Sequence, residues 1–530
     1  AKHPQLFGMY LTNFSCGPDS FIIHKFRHYM ANKPFLTLEF DQHTANAGFD
    51  TRSEAFLDIV DGYRKVNKKI AKVSKCSIPF EPARVEVNGD ERFYIDSDGN
   101  KLVLDNPFVK MVYVDMGRYS TQAIAEVTSN LGVKSIALKP ADEKCMQLGR
   151  KYSSCKECLP YNLMLGSILL YLEKRQSDER TIFFMPDASG PCRFGQYNIF
   201  MRLVVNNLKL KNVAFMVLSA KNRYSGFGTK FSKRAWISIV TSGIMDNIHN
   251  ALEVLAEDPI SAQDIFSKCW EKIKNAIREY KSFSGYKKIL KQVAEDLRKI
   301  PLKKHLREAP KILITGEIYV RWADFTTKQI MEELIKKGFV LIRSPISEWL
   351  KYHNLLIKRR INRDYAQEYT DRLVFSLKTR FEKMYEKEIT EILSSSGLAD
   401  SHIDNVDEFV NVAEKYMSPL MKGEAILTIG SSLKEVFERF AGIVVIGPFG
   451  CMPTRIAQSI LAYTMNSQEK TRISRYDKQV DELSEEFSKC PIFFIEVDGS
   501  PMPPITKSQF EVFIMTSKKV GEKMTVMATH

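Results

Sequence analysis

Short apolar runs bounded by Gly, Pro or charge alternate along the chain with stretches of helical period, which is the pattern of α/β architecture. In the first part, strands are predicted at Phe35–Phe40, Val109–Asp115, Ser135–Leu138, Thr181–Met185 and Val213–Leu218. Helices are predicted at Ser53–Val66, Thr121–Asn130, Leu159–Arg175 and Gly195–Leu208. Residues 76–106 break the rhythm: they alternate in polarity and carry the turn sequences NGD and SDGN, so a small β-hairpin insertion is expected there. Residues 236–308, rich in Lys, Glu and Ile, read as a helical connector. A second α/β unit follows, with strands at Lys311–Thr315, Phe339–Ile342, Ile443–Ile446 and Pro491–Glu496 and a long charged helix over Leu355–Ser394. The expected fold is therefore α/β: two doubly wound, Rossmann-like or flavodoxin-like domains at 1–235 and 309–530, joined by the helical linker.

Composition narrows the function classes. At 530 residues, with 44% hydrophobic and 26% charged, the chain has ordinary globular content and room for several cores. No apolar run reaches the length of a membrane span and no signal-peptide pattern opens the sequence, so a cytoplasmic location is expected. The first residue is Ala, as in a chain that is processed or cut from a longer polypeptide. The net charge of +14 raises nucleic acid as a partner. Lys and Arg are interleaved with Glu and Asp, however, and neither zinc-finger spacing nor an RRM-type aromatic motif occurs, so a solvated basic surface is the plainer reading. The same surface suits an anionic ligand such as a CoA ester, or an acidic redox partner.

Nine cysteines in a chain of this size do not make a secreted disulfide framework, and several sit in Gly/Pro-rich loops rather than in apolar periodic segments. Four segments share a design in which a cysteine precedes a helical pattern: NFSCGPDSFI with Cys16, SSCKECLPY with Cys155 and Cys158, ASGPCRFGQY with Cys192, and GPFGCMPTRIAQ with Cys451. Ligands of open α/β sheets bind beyond the carboxyl ends of the strands, where helix N-termini offer free N–H groups and partial positive charge. Such a place favours a thiolate and an anionic iron–sulfur cluster, and should lower the thiol pKa. One cysteine of this kind is more often a small buried residue; four together point to metal or cluster binding. Two other readings stand beside it, a thioredoxin-type pair at Cys155 and Cys158 and a structural zinc at Cys145, Cys155, Cys158 and Cys192. Cys76, Cys269 and Cys490 have no motif around them and read as ordinary thiols.

These cysteine loops, together with DQHTANAGFDTRSEAFLD and KILITGEIYVR, resemble the 2-hydroxyacyl-CoA dehydratase and benzoyl-CoA reductase family, and more closely the C-terminal part of acyl-CoA dehydratase activase-related proteins. The matching segments run from Phe14 to Gln458, with GPCRFGQY and KECLP the specific ones. The resemblance implies cysteine-ligated 4Fe-4S or double-cubane clusters in a cleft between α/β domains, and an anaerobic, homo- or heterodimeric enzyme component of the lyase or oxidoreductase class. It implies a partner ATPase, the activase, that delivers one electron at very low potential. In the dehydratases that electron enters the thioester carbonyl of an acyl-CoA substrate and gives a ketyl radical that expels the 2-hydroxyl group. On motif position, Cys16, Cys158, Cys192 and Cys451 are the implied cluster ligands, joined by Cys155 at a position the related motifs fill with Gly. Here the chain is longer than a typical dehydratase subunit, and it has neither G-x-x-x-x-G-K-[ST] nor G-x-G-x-x-G, so no ATP site is expected within it.

Further candidates surround these loops. Arg193, Gly190 and Gly450 are expected to contact the cofactor. The segment LEFDQHTANAGFDTR gathers Glu39, Asp41, His43, Asp50 and Arg52 after a strand, as a polar wall to the cleft with His43 as catalytic proton donor, or as a plain solvated loop. Glu157 flanks a proposed ligand, and Glu317 and Arg321 follow a second-unit strand. Three functions follow: a cluster enzyme acting on substrate, a non-catalytic iron–sulfur electron-transfer module or scaffold that docks an activase, and, more remotely, a basic nucleic-acid-binding protein.

Overall fold

The computed structural model describes residues 3–13, 16–41, 45–70, 80–88, 91–154, 156–188, 192–218, 228–359, 361 and 370–529. Its frame is two parallel sheets of the same strand order. The first contains β6 (Val109–Tyr113), β7 (Ser135–Ala137), β8 (Arg180–Pro186) and β9 (Val213–Leu218), ordered β7-β6-β8-β9. The second contains β10 (Lys311–Gly316), β11 (Val340–Arg343), β12 (Gly442–Pro448) and β13 (Ile492–Val497), ordered β11-β10-β12-β13. Parallel neighbours need crossover connections, and here helices supply them.

Both faces of each sheet are covered, which is why these strands read as continuous apolar runs. In the first, Met111, Tyr113, Ile182 and Ala214 pack into one core while Val112, Phe183, Val213 and Phe215 pack into another. In the second, Leu313, Ile443 and Val445 face one core and Ile312, Ile314, Val444 and Ile446 the other. β12 is buried along its whole length.

In each sheet the strand that comes first in the chain lies second in space. The direction of travel therefore reverses between the first and third strands, β6/β8 and β10/β12. A crevice opens at the carboxyl ends of such a pair. The residues leaving those four strand ends are Asp115, the Cys192 loop, Glu317 and the Cys451 loop.

Smaller sheets precede this frame. β1 (Gly8–Asn13) and β2 (Phe35–Phe40) pair in parallel around the helix Gly17–Met30. The expected hairpin is a three-stranded antiparallel meander of β3 (Arg84–Asn88), β4 (Glu91–Ile95) and β5 (Lys101–Val103).

Residues 236–308 are mainly helical, as expected. The helix Gly228–Leu255 is buried nearly all round and packs on both the helix Arg118–Asn130 of the first sheet and β11 of the second. Its Ser242 Oγ meets Ser120 Oγ at 3.0 Å, and Arg343 Nη1 donates to Asp246 at 3.0 Å. The single helix expected over Leu355–Ser394 is two helices, Ile346–Lys358 and Thr370–Ser394. The first stops because Ile361 folds back, its N–H donating to Leu356 O at 3.0 Å, to lay its side chain on the core beneath β12. Among the described residues, no helix is long and apolar enough to cross a membrane.

Candidate functional site

Each of the four described loop cysteines is the N-cap of a helix. Cys16 precedes Gly17–Met30, Cys158 precedes Leu159–Lys174, Cys451 precedes Met452–Thr464, and Cys192 precedes a 3-10 turn that runs straight into Tyr197–Asn207. All four have extended backbone, and Pro follows within the first two helical positions after Cys16, Cys158 and Cys451. Proline suits a first turn because its missing N–H would have had no intrahelical partner. None of the four side chains makes a regular capping hydrogen bond to its own helix.

Local packing aims these caps. The helix carrying Cys158 crosses Glu143–Lys151 at Gly166, where a Cβ would stand 1.7 Å from the Cys145 carbonyl oxygen. The approach needs glycine, and it fixes the start of the Cys158 helix against its neighbour. Glu157 closes the preceding loop, its carboxylate accepting from Ser154 N, Ser154 Oγ and Lys156 N, with His24 Nδ1 at 3.4 Å. In the second sheet, Gly316 turns the chain out of β10 with φ +109°. Glu317 N then donates to Ile446 O at 2.9 Å, which sets the Glu317 carboxylate beside the β12 loop.

Three of the thiols share the same charged neighbours. Arg193 and Glu317 both act on Cys158, Cys192 and Cys451. Cys192 and Cys451 also act directly on one another. Tyr197 Oη lies 2.5 Å from Cys158 Sγ, and Thr454 Oγ1 donates to Cys451 Sγ at 3.2 Å. Arg193 Nη2 reaches the carbonyls of Phe449 and Gly450 at 3.3 and 3.1 Å, joining the loop after β8 to the loop after β12. Glu317 Oε2 accepts from Val320 N at 2.7 Å, and Glu424 Oε2 accepts from Ile318 N at 3.1 Å. Cys16 stands at the margin: an added Cβ on Gly17 would meet Arg193 Cδ at 3.7 Å, while the helix turn beyond points Asp19 to Thr12 and Tyr10.

The electrostatics reverse one expectation. Helix N-termini were expected to lower these thiol pKa values; all three converging thiols are raised instead. Burial pushes Cys451 up to about 12, with Glu424 and Glu317 adding to it. Cys192 is half-buried, yet desolvation, Glu424 and Cys451 hold it well above the usual thiol range. Cys158 is raised by burial against the opposing pull of Arg193 and Tyr197. Desolvation and two carboxyl groups outweigh a half-charge at a helix end. The carboxyls are displaced too: burial and Glu317 push Glu424 up to about 8. Arg193 stays charged, as a guanidinium does throughout the ordinary pH range, and ionisation of Cys158 and Tyr197 would raise its pKa further against the effect of burial. The bare site therefore holds protonated thiols around one guanidinium, and an ion or cluster would have to displace those protons.

The other expected residues divide. Cys155, His43 and Gly190 lie outside the described residues, as does Cys76. Glu39 pairs with Lys156 Nζ at 2.6 Å, beside the Cys158 loop. Asp50 and Arg52 are exposed on the helix Asn46–Ile70, so they do not form a cleft wall; that helix begins earlier than expected and turns them to solvent. Glu317 and Arg321 are both buried, the latter donating to Gly316 O at 2.9 Å. Cys269 and Cys490 are core thiols, and Cys145 lies under the Gly166 crossing.

Tyr197, Glu424, Asp115 and His24 were not anticipated. Asp115 is 4% exposed at the end of β6, with one carboxylate oxygen lacking a hydrogen bond; burial and Asp324 push it up to about 7, against Arg118. Its strand-end position was a usable signal, and Tyr197 follows Cys192 within the same motif. Nothing in the sequence around Glu424 marks it.

Among the described residues, one group of His, Cys, Asp or Glu brings its ligand atoms within 4.8 Å of each other, namely His402, Asp404 and Glu435, and it contains no cysteine. The converging thiols do not form so compact a single-ion set. A cluster is less demanding, since its thiolates sit outside a multi-atom core. No protein-family model, no curated protein and no solved structure matches this chain.

Proposed function

We propose that the chain is the iron–sulfur component of an ATP-driven, low-potential electron-transfer system of the 2-hydroxyacyl-CoA dehydratase kind, with Cys158, Cys192 and Cys451 as ligands and Cys16 beside them. The observation that carries this reading is a chain of contacts linking three N-cap cysteines from loops distant in the sequence: Arg193, next to Cys192, reaches the Gly450 carbonyl beside Cys451 at 3.1 Å, and Tyr197, on the helix after Cys192, meets Cys158 Sγ at 2.5 Å. The donor set fits a thiolate-held cluster better than a hard cation: sulfur at three positions, free helix N–H groups behind each, and a guanidinium to balance the anion. The shared strand order supports the finer fold reading of two flavodoxin-like units meeting at their switch points.

When bound, such a cluster supplies one-electron chemistry. The chain's own residues would hold and tune it. Arg193 and the helix N-termini would stabilise negative charge on sulfur, and the Tyr197 hydroxyl, 2.5 Å from Cys158 Sγ, would donate to a Cys158 thiolate. Glu424 and Asp115, both displaced toward neutrality, can hold protons near the cleft. The electron donor would be a separate ATP-hydrolysing activase, the substrate class an acyl-CoA thioester, and the location cytoplasmic. Strictly anaerobic preparation should yield a brown protein with several irons per chain. A colourless, zinc-loaded product from the same preparation overturns the proposal.

One observation favours the non-catalytic electron-transfer reading. Cys158 and Cys451 are each 5% exposed and Arg193 ties the two loops together, so the thiols are closed off. Adding an acyl-CoA to the reduced protein separates the two: a changed cluster EPR spectrum supports an enzyme, and an unchanged one supports the electron-transfer module.

A further inference from the structure

Apart from the thiols, the second part of the chain contains a cavity of about 90 Å³ lined by Arg343, Glu348, His402, Asp404, Glu435 and Arg439 among others, with no cysteine in its wall. That volume holds several waters, at roughly 10–15 Å³ for each. His402, 38% exposed at its side chain, gives the cavity an entry from solvent.

Its polar wall has an imbalance. Lys351 is committed to Glu386 at 2.6 Å, Lys311 to Asp400 at 2.9 Å and Arg343 to Asp246 at 3.0 Å. Arg439 is shared among Glu435, Asp404 and Asp400, with Glu435 Oε2 taken and Oε1 turned to the imidazole. His402 Nε2 lies 3.7 Å from Asp404 Oδ1 and 3.6 Å from Glu435 Oε1. These are separations between neighbouring ligands around one small cation rather than hydrogen bonds, given metal bonds of about 2.0–2.2 Å.

Glu348 is the independent observation. It is 1% exposed and faces the same cavity, yet neither carboxylate oxygen accepts a hydrogen bond. Its charged neighbour, Arg321 Nη2, stands 3.6 Å away. A buried carboxylate with no donor is costly, and the waters of a hydrated ion would satisfy it.

We infer that His402, Asp404 and Glu435 form a second metal site, for one divalent first-row ion of the Mn2+ or Zn2+ class, with Arg439 orienting Glu435 and Glu348 meeting the ion's water shell. One imidazole and two carboxylates suit both ions; Zn2+ also takes thiolates, whereas Mn2+ does not. The ion would brace the loop before the helix Val406–Ala413 against the end of the helix Ala425–Glu435.

Mn2+ is the discriminating probe, because it avoids thiolates. The full chain, stripped with chelator, is titrated with Mn2+ alone while the free aquo-ion EPR signal is followed. Expected are one saturable site per chain, affinity lowered about tenfold or more in Glu435→Gln and His402→Gln, and unchanged binding in Cys451→Ser. Thermal unfolding guards against misfolding: Mn2+ should raise the melting temperature of the wild type and not of His402→Gln. Absence of saturable binding, wild-type affinity in either cavity variant, or loss in Cys451→Ser each overturns the site.

Discussion

Arg193 Nη2 donates to the Gly450 carbonyl oxygen at 3.1 Å, so the residue after Cys192 is tied to the residue before Cys451. The contact joins the loops that follow β8 and β12, in two separate sheets. Arg193→Ala should therefore lower stability by about 2 kcal/mol, the value of charged hydrogen bonds lost from a partly buried place. Arg193→Lys should recover only part, since an ammonium lacks the planar fork. Urea titration of the two variants checks this, and an Ala variant as stable as wild type contradicts it.

Gly166 sets the position of the Cys158 helix. With 1.7 Å between an added Cβ and the Cys145 carbonyl oxygen, Gly166→Ala must push two helices apart. The expected loss is about 3 kcal/mol. The midpoint of chemical unfolding measures it, and the same variant should bind less iron because Cys158 moves with its helix.

Asp115 gives the metal-free protein a pH dependence of known sign. Its pKa is raised from 3.8 to about 7, by burial first and then by Asp324, against Arg118. Below pH about 4, folded and unfolded chains both carry the proton and the contribution is intact. Between about 4 and 7 the folded chain keeps the proton while the unfolded chain releases it, so stability falls as pH rises, and the contribution is gone above about 7. Asp115→Asn should remove this slope and be the more stable protein at pH 8. Denaturation midpoints at pH 4.5, 6 and 8 test the sign; identical slopes in the two proteins would refute it.

Asp246 anchors the helix Gly228–Leu255 to the second sheet through Arg343, with both side chains 6% exposed. Asp246→Ala leaves that guanidinium buried without its closest anion, at an expected cost of about 3–5 kcal/mol. Calorimetry should show the loss; a change near zero would mean that Asp324, 3.7 Å from Arg343, replaces it.

Most of the frame was legible in the sequence because parallel strands are buried on both faces and read as apolar runs ended by Gly or Pro. β2 and β9 match their predicted ranges, and the other predicted strands differ only at their ends. β1 was missed: its Met9 and Leu11 are exposed, and a two-stranded edge gives little pattern. The helix end at Lys358 was missed because the charged helical period runs past it, while Ile361 packs on the core beneath β12. The cysteines were visible because N-cap loops with Gly and Pro have a local signature. Their protonation was not, since it depends on Glu317 and Glu424, brought in by a different sheet. The His402 group was invisible for the same reason: Glu435 is separated from it by an entire helix.

The central claim is that distant cysteines hold one inorganic centre, and iron content of single-cysteine variants tests it most directly. Cys158→Ser, Cys192→Ser, Cys451→Ser and, as a control, Cys269→Ser are prepared anaerobically and assayed for iron and acid-labile sulfide per chain. The first three should lose most of their iron while staying folded, and Cys269→Ser, deep in a helical core, should match wild type. Undiminished iron in Cys158→Ser, Cys192→Ser and Cys451→Ser, or a wild type without iron and sulfide, would contradict the account.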